Sequence, residues 1–152
     1  MENRSNARGS KGSVTAEVAV VLPILLLGLV GLADFGRATM ETITVANAAH
    51  AGAKYGSHST YHMTDMAGIR TAALAEMQEM PDLERVSIDA ARYCACPDGT
   101  LVSCSDGVCG ETAELRRTYV RVRVEKLFET VFNYPGVPDV IILTREAHVR
   151  AR

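Results

Sequence analysis

Apolar residues are spread unevenly along the chain. From Val18 to Ala33 the sequence reads VAVVLPILLLGLVGLA, sixteen residues without a charge. As an α-helix that run is about 24 Å long, short of a hydrocarbon core of about 30 Å. Starting the helix at Ser13 gives 21 residues and about 31 Å, enough to span. The extension brings Glu17 inside the span, near its cytoplasmic edge. Pro23 removes a backbone donor and leaves a carbonyl unpaired, which predicts a kink. Gly28 and Gly31 permit close approach of another helix.

Past Ala33 the pattern turns amphipathic without a break. Phe35, Ala38, Thr42, Ala46, Ala49 and Ala53 follow i+3/i+4 spacing, which predicts a helical stalk. A stripe of small residues lets another backbone come close, and the domain's own sheet is favoured over a second subunit. Gly56-Ser57-His58-Ser59-Thr60 ends the helix. A second helix is expected over Thr64–Met80, capped by Thr64 or Asp65 and stopped by Pro81. Its apolar face is Met66, Ile69, Ala73, Met77 and Met80, read as core filler.

Then the period changes to two. Val86, Ile88 and Ala90 alternate with Arg85, Ser87 and Asp89. Val120, Val122 and Val124 alternate with Tyr119, Arg121, Arg123 and Glu125, a half-buried strand. Ile141, Leu143, Ala147 and Val149 share one parity, after a loop at Tyr134-Pro135-Gly136-Val137-Pro138. Two helices followed by an antiparallel sheet of at least three strands is an α+β order.

Charge adds an orientation. Arg4, Arg8 and Lys11 precede the apolar run against Glu2 alone, which puts the N-terminus inside. By itself the polar Met1–Gly12 segment has no apolar periodicity and reads as disordered. The whole chain carries a net charge of −2 and no Trp, so neither a basic field nor a base-stacking surface points to nucleic acid.

Four cysteines, Cys94, Cys96, Cys104 and Cys109, lie between the first two expected strands with spacing C-x-C-x7-C-x4-C. That spacing fits no zinc pattern well, and outside the cytoplasm it reads as two disulfides. A Cys94–Cys96 bond would be strained. The sets 94–104/96–109 and 94–109/96–104 remain, with a lean to the nested second set, because two strands leading into a loop bring its ends together. His58 and His62 share a helical spacing but have no third ligand, so no metal site is expected. No nucleophile elbow, Walker loop, HExxH or dinucleotide fingerprint is present. The sequence thus offers no catalytic residue and implies no cofactor.

Three readings of the N-terminal run compete: a plain signal anchor, a signal peptide cut after Gly31-Leu32-Ala33, and a prepilin cut on the cytoplasmic side. Gly12-Ser13-Val14-Thr15-Ala16-Glu17 carries the third. The run is slightly long for a cleaved signal, Glu17 is unusual beside one, and helical sequence continues past Ala33. In class IV prepilins a basic leader ends in Gly, and a Glu stands fifth in the mature chain. With Gly12 last in the leader, Ser13 is first and Glu17 fifth. Val20-Val21-Leu22-Pro23-Ile24-Leu25-Leu26-Leu27 and Asp34-Phe35-Gly36-Arg37 complete the pattern. Over roughly residues 8 to 55 the chain resembles the TadE-like minor pilins of tight-adherence pilus systems. Val18 stands where that family usually has an aromatic, and Asp34 where Glu is common.

The resemblance implies a layout and a role. A leader would occupy 1–12, a membrane helix 13–33, a helical stalk 34–57 and an extracytoplasmic α+β domain 58–152, with its cysteine-rich loop at 94–109. A prepilin peptidase would cut between Gly12 and Ser13, with Glu17, fifth in the mature chain, as part of the processing site. Glu17 and Pro23 would serve assembly, Glu17 by pairing with a neighbour's new Ser13 amine. Expected partners are the inner membrane, that peptidase, other pilins or pseudopilins and the tight-adherence machinery. The location would be the bacterial inner membrane, single-pass, with the C-terminal domain periplasmic or extracellular. The rival is a membrane-anchored or secreted binding domain with no pilus role.

Overall fold

Helix α1 runs from Lys11 to Gly56, a computed structural model describing residues 11–105, 108–109, 115–132 and 136–151 of the chain. Residues 1–10 of the expected leader 1–12 therefore lie outside the described residues. Two compact units divide the chain, Met1–Arg37 and Ala38–Arg152.

In the first unit the helix carries its apolar side chains without cover. Val18, Val20, Leu22, Ile24, Leu27 and Leu29 are all exposed. A Cβ added at Gly28, Gly31 or Gly36 would meet nothing within 4 Å. The helical assignment continues through Pro23. Since proline has no N–H, the Ala19 carbonyl lacks its usual i+4 donor. This is the one helix among the described residues long and apolar enough to cross a membrane.

The second unit begins at Ala38 and takes in most of the segment read as a stalk. Here α1 buries Val45, Ala48, Ala49 and Ala53. That face differs from the stripe the spacing predicts. Of the six positions, only Ala49 and Ala53 are buried, and Phe35 is 71% exposed. The favoured partner is nevertheless the domain's own: these residues join one core with Ile69, Val120 and Val122. Gly52 and Gly56 set how close the layers come. A Cβ on Gly56 would stand 2.9 Å from both Ile69 Cδ1 and Val120 Cγ1.

Helix α2 spans Met66–Ala75, with Asp65 as its N-cap. The Asp65 carboxylate accepts from the Gly68 N–H at 2.9 Å and from the Tyr55 hydroxyl at 2.8 Å. The helix stops five residues before the expected Met80. Met77 N–H donates to the Leu74 carbonyl at 2.9 Å and Met80 N–H to the Met77 carbonyl at 2.9 Å, tighter i→i−3 bonds that end the α geometry. Ile69, Ala73 and Met77 still face the core as the periodicity requires.

Four antiparallel strands close the unit: β1 (Val86–Ala95), β2 (Leu101–Val102), β3 (Arg117–Glu129) and β4 (Val140–Arg150). Their order is β2-β1-β3-β4. Val122 stands between Ala90 of β1 and Ala147 of β4. Even-numbered positions of β3 from Val120 to Phe128 are buried, so the period-2 reading holds from Val120 onward. Tyr134 and Pro135 of the expected loop before β4 lie outside the described residues.

Candidate functional site

The residues expected to serve processing and assembly fall in the N-terminal part of α1. The backbone at Gly12 and Ser13 is helical and Glu17 is exposed. Ser13 and Glu17 are one turn apart, about 6 Å along the axis. Glu17 makes no hydrogen bond or ion pair among the described residues. A carboxylate within an apolar helix costs a few kcal/mol, about 2.5–3.5 at the helix centre on insertion scales. Farther along, Arg37 donates to the Asp34 carboxylate at 3.2 Å, an i,i+3 pair that holds the acidic-Phe-Gly-Arg end in place.

Lys126 and Glu41 form a feature that the sequence reading missed. Lys126 donates to Glu41 Oε2 at 2.6 Å, and the two side chains are 3% and 13% exposed. The pair ties the Ala38 end of the outer unit's helix to β3. A signal was available. Lys126 continues the buried parity of Val120, Val122 and Val124, and Glu41 lies one turn before buried Val45. One charge on each of two facing apolar surfaces predicts a pair, because either charge alone would be too costly.

The cysteines form two disulfides, Cys94–Cys104 and Cys96–Cys109, with Cα–Cα distances of 5.2 and 5.5 Å. This is the other set from the nested one that the sequence favoured. The reason is β2. After a turn in which Cys96 N–H donates to the Thr100 carbonyl at 2.9 Å, Leu101–Val102 folds back on β1 and sets Val102 opposite Cys94. Cys104, just beyond, then reaches Cys94, which leaves Cys96 to Cys109. The staple fixes the loop to the end of β1.

His58 and His62 come near each other, with ring centroids 6.0 Å apart. His62 packs edge-on against Tyr55 at 4.7 Å and its Nδ1 lies 2.6 Å from Ser59 Oγ. Among the described residues no three His, Cys, Asp or Glu side chains gather as a metal site would require. On the outer sheet face Tyr93 stacks on Tyr119 at 5.2 Å, and its hydroxyl lies 2.9 Å from His148 Nδ1. His148 Nε2 in turn lies 2.9 Å from Glu146. Alternation placed Tyr119 on the solvent face without indicating these contacts.

Residues 12–54 match the family model described as TadE-like protein. The match starts at Gly12, the expected last residue of a leader, and covers the apolar helix and most of the segment leading to Gly56. No curated protein and no solved structure matches the chain.

Proposed function

We propose that this chain, TadE-like over residues 12–54, is a minor pilin or pseudopilin taking part in assembly of a tight-adherence pilus. Residues 13–33 anchor it in the bacterial inner membrane, the N-terminus faces the cytoplasm, and the disulfide-bonded outer unit lies outside. Chemistry is done to the protein: a prepilin peptidase cuts between Gly12 and Ser13 and leaves the helix on the mature chain. The observation that carries this reading is the run from Gly12 through Glu17 into an apolar helix whose side chains are exposed among the described residues.

Cleavage creates an α-amino cation at Ser13. In an assembled filament Glu17 of one subunit pairs with that amine on a neighbour, which offsets desolvation of both charges and fixes the register. Pro23 leaves the Ala19 carbonyl open to a donor from a packed neighbour. The other pilins and the assembly machinery supply these partners.

The two roles of Glu17 can be separated by Glu17→Gln. The amide is nearly isosteric but cannot form the ion pair. Piliation, and recovery of the protein with the pilus machinery, should fall while processed protein still accumulates in the membrane. A neutralised partner leaves the other charge buried and uncompensated, a loss of about 3–5 kcal/mol. Wild-type piliation in the Gln variant would remove Glu17 from assembly.

A further inference from the structure

The outer unit carries opposite charge at its two ends. At one end β3 begins and β4 stops, and a cleft of about 330 Å³ opens beside the segment after α1. Arg92, Arg116, Arg117 and Arg150 line it together with Thr60 and Met63, and no described carboxylate does. Register explains the gathering. Arg92 stands opposite Val120, Arg117 opposite Ala95 and Arg150 opposite Tyr119, so three strands bring arginines to one end of the sheet, Arg92 on the face of buried Val120 and Arg150 on the face of Tyr119. Arg92, Arg117 and Arg150 make no ion pair among the described residues. These arginines make this end of the unit basic, and the planar fork of a guanidinium fits a carboxylate.

The opposite end is acidic. A groove of about 410 Å³ runs between the start of the outer unit's helix, at Met40 and Thr44, and the turn after α2. Glu76 and Glu79 are exposed on its rim and make no ion pair among the described residues. Glu41 also lines it, but is held by Lys126. Lys126 stands near the far end of β3 from Arg117, which separates the two ends by about 30 Å at ~3.3 Å per residue.

We propose that the outer unit associates head to tail with a second copy of this chain, the arginine cleft of one copy taking up Glu76 and Glu79 of the next. A two-fold dimer through either surface would oppose like charges. A head-to-tail contact instead opposes unlike ones and leaves a free cleft and a free rim, so it propagates. The proposal deepens the pilin reading, in which copies stack, but the contact itself depends only on these side chains.

Sedimentation of the purified full chain in detergent tests it. Wild type should associate with rising concentration, and less so as salt is raised from about 0.05 to about 0.5 M. Arg117→Glu/Arg150→Glu and Glu76→Arg/Glu79→Arg should each associate about tenfold more weakly or worse. An equimolar mixture of the two should associate again, because each variant then meets its opposite charge. The milder Arg117→Gln/Arg150→Gln and Glu76→Gln/Glu79→Gln variants should each associate more weakly, and their mixture should form a one-to-one dimer that grows no further, because one keeps its acidic rim and the other its arginine cleft; this guards against a reversed chain that fails to fold. A wild type that stays monomeric, or a mixture no better than its components, overturns the proposal. Neither peptidase nor pilus enters this measurement, so its failure leaves the processing and assembly roles standing.

Discussion

Lys126 Nζ lies 2.6 Å from Glu41 Oε2 across the interface of helix and sheet, with both side chains largely withdrawn from water. Removing one partner should be far worse than removing both. Lys126→Met leaves a buried carboxylate and should destabilise the outer unit by about 3–5 kcal/mol, whereas Glu41→Leu/Lys126→Met should lie near wild type or above it. Thermal unfolding of the full chain in detergent, followed by tyrosine near-ultraviolet circular dichroism, would measure both. A single variant as stable as wild type would show that water reaches the pair.

Gly56 is where the helix touches Ile69 and Val120. A Cβ there would come within 2.9 Å of both side chains, so Gly56→Ala should cost about 1–3 kcal/mol through overpacking. Gly52→Ala should be milder. Its nearest contacts are 3.2–3.3 Å, and the gain in helix propensity, about 0.5–1 kcal/mol, offsets part of the strain. Equal effects at the two positions would contradict this account of the packing.

The Asp65 cap predicts an acid limb in stability. The Gly68 N–H first, and the Tyr55 hydroxyl second, hold the Asp65 carboxyl below its ordinary value of 3.8. The folded state therefore binds this proton more weakly than the unfolded state does. The contribution is complete above the unfolded value, near pH 4, and is lost as pH falls through the lower folded value. Asp65→Asn keeps a capping side chain but removes the charge. Wild type should melt above the variant at pH 7, and the gap should narrow below pH 4. A gap that does not change with pH would assign the effect to shape alone.

Non-reducing proteolysis and mass spectrometry should recover peptides linked as Cys94–Cys104 and Cys96–Cys109. Reduction should cost the outer unit about 2–5 kcal/mol. Recovery of 94–109 and 96–104 instead would mean that β2 does not form as described.

Strongly periodic segments were legible in the sequence, and features set by long-range geometry were not. The valines of β3 alternate for long enough that their buried face follows from period alone. The apolar run likewise identifies α1. The stripe on its second half was misplaced because alanines recur at several helical offsets there, and only the close approach at Gly52 and Gly56 selects the face. Strand β2 has two residues, too few to show a period, and it decides the disulfide pairing. The arginine cleft depends on the register of three strands, which no local pattern contains.

The central claim, that a prepilin peptidase processes this chain and leaves its apolar helix in place, has a direct test in the mass of the mature protein. The full chain would be co-expressed with a prepilin peptidase from a tight-adherence system, and its intact mass and N-terminal residue measured. The account predicts a chain that begins at Ser13 and stays in the membrane fraction, with slower conversion in Gly12→Ala because a Cβ hinders close approach of the protease. A chain that begins at Asp34, or one that keeps its leader in the presence of an active peptidase, would contradict it.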